Sequence, residues 1–380
     1  MSHPPYAPFW NFELEHYQSL YEHTVELNLA DSSVQCLTTR EWLTPDEQNA
    51  LLETGLYYPQ VNGTDALRRR IATLYPGALP ENVLVTVGAA QANSMACATL
   101  LRPGDEVVVM SPGYRQVWGL ARNLGCVVRE LPLDAERGWR ADMDELDRLV
   151  GPRTRMVAVV NPNNPTGSIL TEAEMERVVR ASARVGAWLH ADEVYAGTER
   201  HTDVETPSFW GRYDRIVCTN SLSKAYGLAG VRIGWAVADT ETIDAMWRRH
   251  EYAVIAAAAP SMTLAAIALA PPKRRRLLER QKELTRGGWA VLEEWLAAED
   301  RFSVGPSAAT SIGFVRYDLP VTSSELAEHI RLTERTLVAP GSLLGAEHHL
   351  RITLGYDPSK VQTALGRISA AVASLLAEKA

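Results

Sequence analysis

The sequence predicts an α/β sandwich built on a mostly parallel sheet of seven strands, and three features carry that prediction. Short apolar runs recur between residues 83 and 236, stretches of helical period separate them, and Gly, Pro, Asp or Asn bounds most of the runs. Alternating strands and helices favour parallel pairing with crossover connections. In such sheets ligands bind beyond the carboxyl ends of the strands, so the chemistry is expected immediately after each run.

The strands are expected at 83–87, 106–110, 126–131, 156–160, 187–191, 216–219 and 231–236. Helices are expected at 91–101 and at 114–124, the latter followed by Gly125 as its stop signal. Thr171 and Glu174 form a capping box that opens a helix to about residue 183. Pro271 and Pro272 mark a break before a long charged helix to about residue 296. The basic run Lys273, Arg274, Arg275 and Arg276 on that helix is expected to be a solvated face. Residues 300–380 read as a smaller α+β unit ending in an amphipathic helix at 358–376.

At 380 residues the chain exceeds what one core normally supports. The division expected is an N-terminal arm at 1–44, a large domain at 45–270 and a small domain at 271–380. The net charge of -8 argues against nucleic acid as a partner, so any anion site must be assembled locally. No stretch reaches the length of a membrane span, and no basic region precedes an apolar core at the start. Cys36, Cys97, Cys126 and Cys218 fit no zinc spacing and read as reduced, mostly buried thiols. A cytoplasmic protein is expected.

The residues after the strands carry the chemistry. Gly88, Ala89 and Ala90 end one strand and open a helix, whose free amides suit an anion. A simple tight turn would read the same way. Ser111-Pro-Gly-Tyr114 follows the next strand, and Tyr114 alone would pass for a core aromatic. Asn161-Pro-Asn-Asn164-Pro-Thr-Gly167 is a stiff loop. In His190-Ala-Asp192-Glu-Val-Tyr195, a metal site from His190, Asp192 and Glu193 is disfavoured, because Glu193 leaves the strand on the opposite face. Ser221-Leu-Ser-Lys224 precedes a glycine-rich turn and Arg232, an arrangement that would hold an amine against an anionic aldehyde. Arg351 follows Ala339-Pro-Gly-Ser342, and a guanidinium binds a carboxylate through two parallel hydrogen bonds.

Over about residues 50–360 these segments, in this order, resemble the class I/II aminotransferase family, the pyridoxal-phosphate enzymes of the aspartate aminotransferase fold. The resemblance implies fold type I, with the first forty residues packing on the small domain. It implies pyridoxal 5'-phosphate as cofactor, with Lys224 as Schiff-base lysine and general acid/base. Gly88, Ala89 and Ala90 would form the phosphate turn with Ser221 and Arg232, although Ala90 lacks the hydroxyl that many members have there. Tyr114 would stack on the pyridine ring, Asp192 would pair with its nitrogen, and Asn164 and Tyr195 would hold its phenolic oxygen. Arg351, with help from Asn164, would clamp the substrate α-carboxylate. Tyr58, in a run similar to the family's Tyr-x4-Gly-x3-Leu-Arg, would cross a two-fold axis to the partner's phosphate, which implies a homodimer.

The chain departs from common members at Leu27–Cys36, a run without glycine or proline that resembles a divergent branch including capreomycidine synthase and other natural-product enzymes. There Ser32 and Ser33 would either bind an unusual substrate or cap a turn. The arm before it, with Tyr6, Phe9, Trp10, Phe12, Tyr17 and Tyr21, would either pack on the small domain or cover a bulky substrate. The function expected is an aminotransferase acting on an L-amino acid. The alternative is a C–S β-lyase, or a decarboxylating or oxidative deaminase, acting on a modified amino acid in secondary metabolism. A regulator on the same scaffold is disfavoured because nearly every expected cofactor residue is present.

Overall fold

The structure is a computed structural model that describes residues 8–379. Its strands, in chain order, are β1 (Leu27–Asn28), β2 (Val83–Thr86), β3 (Glu106–Ser111), β4 (Val127–Asp134), β5 (Arg140–Ala141), β6 (Thr154–Val160), β7 (Trp188–Asp192), β8 (Ile216–Ser221), β9 (Gly234–Val237), β10 (Phe302–Val304), β11 (Ile312–Tyr317), β12 (Thr336–Leu337), β13 (Ala339–Pro340) and β14 (His349–Thr353). The large sheet has the order β2-β9-β8-β7-β6-β3-β4-β5. The seven expected strands are all there. The eighth, β5, is a two-residue antiparallel edge on β4 that is too short to leave a periodic signal. Within the seven, β9 alone runs against its neighbours.

The strands are buried over most of their length because helices cover both faces, as the near-continuous apolar runs require. The helix after β2 starts at Gly88, three residues earlier than the apolar period suggests, and runs to Leu100. Thr171 caps the helix Glu172–Val185, whose end is turned by Gly186 at φ 68°. Gly125, at φ 79°, follows the helix Gln116–Asn123. One boundary is corrected: residues 229–231 form a single 3-10 turn, Arg232 is left-handed at φ 54°, and β9 begins only at Gly234.

A second core forms around the sheet β10-β11-β14-β13 and the helices Pro271–Ala298, Ser323–Glu334 and Pro358–Lys379. Strand β1 joins it by parallel pairing with β12. The residues before β1 also reach the large sheet's helices. Trp10 exchanges two hydrogen bonds with Asn123 and lies edge-on to Trp118, and Phe12 lies edge-on to Tyr114. Tyr6 falls outside the described residues.

The basic run also needs correction. Lys273 donates to the Trp42 carbonyl (2.6 Å) and to Glu47 (2.7 Å), and Arg274 grips Glu205 and the Tyr226 hydroxyl. Two of the four cations are therefore structural ties, and Arg275 and Arg276 alone face solvent. Cys97, Cys126 and Cys218 are buried and Cys36 is exposed. Among the described residues, no helix is long and apolar enough to cross a membrane.

Candidate active site

The turn after β2, the loops after β3 and β6, and the carboxyl ends of β7 and β8 converge on one cavity of about 220 Å³. The sheet creates this convergence because its parallel strands end on the same edge. Ala89, Ala90, Tyr114, Asn164, Asp192, Tyr195, Ser221, Lys224 and Arg232 all line it, with Ser32 and Ser33 closing it from the segment after β1.

At one end lies a cradle suited to an anion. Gly88 opens its helix at φ 74°, and the first amides of a helix have no carbonyl one turn back to bond. A Cβ at Gly88 would sit 2.3 Å from Arg232 Nη2, so the glycine lets the guanidinium approach the turn. A Cβ on Gly234 would meet the Gly88 and Ala89 backbone at the same distance, so β9 seats the turn closely. Arg232 Nη1 donates to the Ala229 carbonyl (3.0 Å) and to Ser223 Oγ (3.5 Å). Ser223 lines the cavity too, a part the sequence did not assign to it.

Lys224 stands in the middle. Its Nζ donates to Ser32 Oγ (2.8 Å) and Ser33 Oγ (3.2 Å) and lies 3.9 Å from Asp31 Oδ1. Asp31 accepts from the amides of Ser32 and Ser33, which builds the tight turn that presents both hydroxyls. The hydroxyls of Ser32 and Ser33 thus both face the lysine amine.

Opposite lies Asp192, buried, with Oδ2 accepting from Asn93 (2.9 Å) and Oδ1 from the Val194 amide (3.2 Å). Burial raises its pKa, while Asn93, the Val194 amide and Lys224 oppose the rise. Tyr195 donates to the Ser32 carbonyl (3.4 Å), and burial raises its pKa against the pull of Lys224. Tyr114 donates to Glu15 (3.0 Å), and burial holds its phenol well above the ordinary value. His190 does not join Asp192 and Glu193 in a cluster. Its Nε2 bonds Asn93, whereas Glu193 accepts from Ser208 and the Phe209 amide.

Besides Gly88, whose turn forms the cradle, two expected residues stand apart from the cavity lining. Arg351 is fully buried beside it, donating to the Ala30 carbonyl (2.5 Å), Asn164 Oδ1 (3.3 Å) and Gln18 Oε1 (3.4 Å), with Nε unpaired. Tyr58 lies outside it and is 80% exposed. Sequence reasoning missed Asn93, Gln116, Glu15 and Asp31, which also line the cavity. Asn93 left no distinctive signal, since its helix also carries the polar residues Gln91, Ser94 and Thr99.

The chain matches the family model "Aminotransferase class I and II" over residues 26–368. It is 29% identical to capreomycidine synthase of Streptomyces vinaceus over 310 residues, covering 81% of this chain and 78% of that one. A PLP-dependent aminotransferase from Streptococcus suis superposes with a TM-score of 0.90 at 28% identity, covering 97% and 99% of the two chains. The PLP-dependent cyclase OrfR superposes with a TM-score of 0.86 at 26% identity over the full length of both. With nearly the whole chain matched, the protein belongs to the aminotransferase class I and II family.

Proposed function

We propose that the protein is a pyridoxal 5'-phosphate-dependent aminotransferase that moves the amino group of an L-amino acid, with Lys224 as the residue that carries the cofactor. The observation behind this reading is a single cavity that holds a lysine amine, an anion cradle and a buried carboxylate. An aromatic aldehyde with a phosphate needs those three groups, and the Gly88 approach that a Cβ would block fits the phosphate. Bound there, the cofactor supplies an electron sink for the pair left when the substrate Cα loses its proton.

The chain's own residues divide the remaining work. Gly88, Ala89, Ala90, Ser221 and Arg232 hold the phosphate, Tyr114 fixes the ring plane, and Asn164 and Tyr195 hold the phenolic oxygen. Asp192 keeps the ring nitrogen protonated. Lys224 Nζ would move the proton between the substrate Cα and cofactor C4′, with Ser32 and Ser33 steering the amine. Arg351 receives the substrate carboxylate after giving up its bond to the Ala30 carbonyl.

The same reading divides the chain into an arm at 1–44, a cofactor domain at 45–270 and a small domain at 271–380, supported by the second core around β10–β14. It makes the protein a cytoplasmic homodimer. The exposed side chains of Leu52, Leu56, Tyr57 and Tyr58 support an interface that carries Tyr58 to the partner's phosphate.

Absorption spectroscopy of the holoenzyme with single amino acids and no keto acid tests the reading. Transamination stops after one stoichiometric conversion of the cofactor. Continued release of ammonia with the lysine-bound form persisting would instead indicate a lyase or deaminase.

A further inference from the structure

Asn93 has no part in the reading above, yet it touches several of the elements that carry it. It is 1% exposed on the helix Gly88–Leu100. Its Nδ2 donates to Asp192 Oδ2 (2.9 Å) and to Gln116 Oε1 (2.9 Å). Its Oδ1 accepts from Thr219 Oγ1 (2.7 Å) and His190 Nε2 (3.1 Å). A side-chain amide has two donor hydrogens and one oxygen with two lone pairs, so every hydrogen-bonding position of Asn93 is used. Flipping the amide would set its oxygen against the Asp192 carboxylate, so the partners fix one orientation. That orientation places the His190 proton on Nε2. Burial pushes the His190 pKa down to about 4, so the ring stays neutral and lends Asp192 no charge.

The bonds continue beyond the amide. Gln116 Nε2 donates to the Ala90 carbonyl (2.9 Å). A chain of hydrogen bonds therefore runs from Asp192 through Asn93 and Gln116 to the turn after β2, and passes the start of the helix that follows Tyr114.

We infer that Asn93 is a positioning residue that orients the Asp192 carboxylate toward the ring nitrogen, favours its charged form by donating to it, and ties it to the phosphate turn. The inference rests on the cofactor reading above. A donor to the carboxylate is satisfied only while the carboxylate accepts, so removing it favours protonation of Asp192. The other titratable groups facing Asp192 are Lys224, Glu193 and Tyr114, Tyr195 lines the same cavity, and His190 reaches it through Asn93.

The test uses the holoenzyme with Asn93→Leu, Thr219→Val and Asp192→Ala. Thr219→Val removes one of the two donors that orient the amide and leaves Asn93 in place, so it decides the matter if Asn93→Leu does not fold. The readouts are the pH dependence of the cofactor's visible absorption and the split between kcat and KM. Asn93→Leu is expected to lower kcat about tenfold or more, to leave KM within about threefold, and to move the acid limb of kcat and the spectral transition up by about one pH unit. Thr219→Val is expected to shift both the same way by less. In an Asp192→Ala background, Asn93→Leu is expected to add little. An unchanged spectrum and acid limb in both variants, with only the melting temperature lowered, would make Asn93 an ordinary core amide and overturn the inference. An Asp192→Ala enzyme with normal rate and spectrum would remove the cofactor reading first, and the inference with it.

Discussion

Lys224 Nζ lies 2.8 Å from Ser32 Oγ, and that contact joins the large sheet to the second core. Lys224 follows β8, whereas Ser32 belongs to a segment held by β14: Thr353 donates through its amide to the Leu29 carbonyl and through its hydroxyl to the Ser33 carbonyl. The amine's position therefore depends on how the two cores sit against each other.

Ser32→Ala combined with Ser33→Ala is expected to lower kcat about tenfold or more, the worth of one hydrogen bond to a charged group, while cofactor affinity changes little. Steady-state kinetics with a cofactor titration checks this. An equal loss of cofactor affinity would move the serines to a phosphate-holding role.

Gly88→Ala is expected to weaken cofactor binding at least tenfold. The left-handed backbone costs an alanine roughly 1–2 kcal/mol, and the new Cβ displaces the Arg232 guanidinium. Equilibrium dialysis of the apoenzyme measures the affinity directly. Wild-type affinity would place the phosphate elsewhere.

Arg351→Lys is expected to raise the amino-acid KM by tens of fold with little effect on cofactor binding, because an ammonium cannot reproduce two parallel bonds to a carboxylate. A normal KM would assign the clamp to another residue. Arg351 keeps Nε unpaired and bonds the Ala30 carbonyl through Nη2.

Most of the strands were legible because they are buried on both faces and so read as apolar runs. The cavity residues were legible because a parallel sheet delivers its strand ends to one edge. What stayed hidden depends on partners far away in sequence. Lys273 looked solvated because the Trp42 carbonyl and Glu47 that bind it lie more than two hundred residues earlier. Asn93 gave no spacing motif, since its four partners come from three other elements. The task of Ser32 depended on Lys224, which comes 192 residues later.

Glu193 supplies a pH-dependent stability effect separate from catalysis. Burial pushes its pKa from 4.5 to about 7. The folded state thus binds the proton more tightly than the unfolded state, and stability present below pH 4.5 is lost as the pH rises through about 7. The full effect is roughly 3 kcal/mol. Glu193→Gln is expected to flatten the fall in melting temperature between pH 5 and pH 8. An unaltered slope would show that another group titrates there.

The central claim is that Lys224 carries the cofactor, and the absorption spectrum of purified Lys224→Ala beside the wild type tests it most directly. The account expects the wild-type visible band to survive dialysis and to disappear on borohydride treatment with label fixed at Lys224. In the variant it expects cofactor that dialyses away and turnover lowered by orders of magnitude. A variant that keeps a borohydride-reducible band and near-normal turnover would contradict the account.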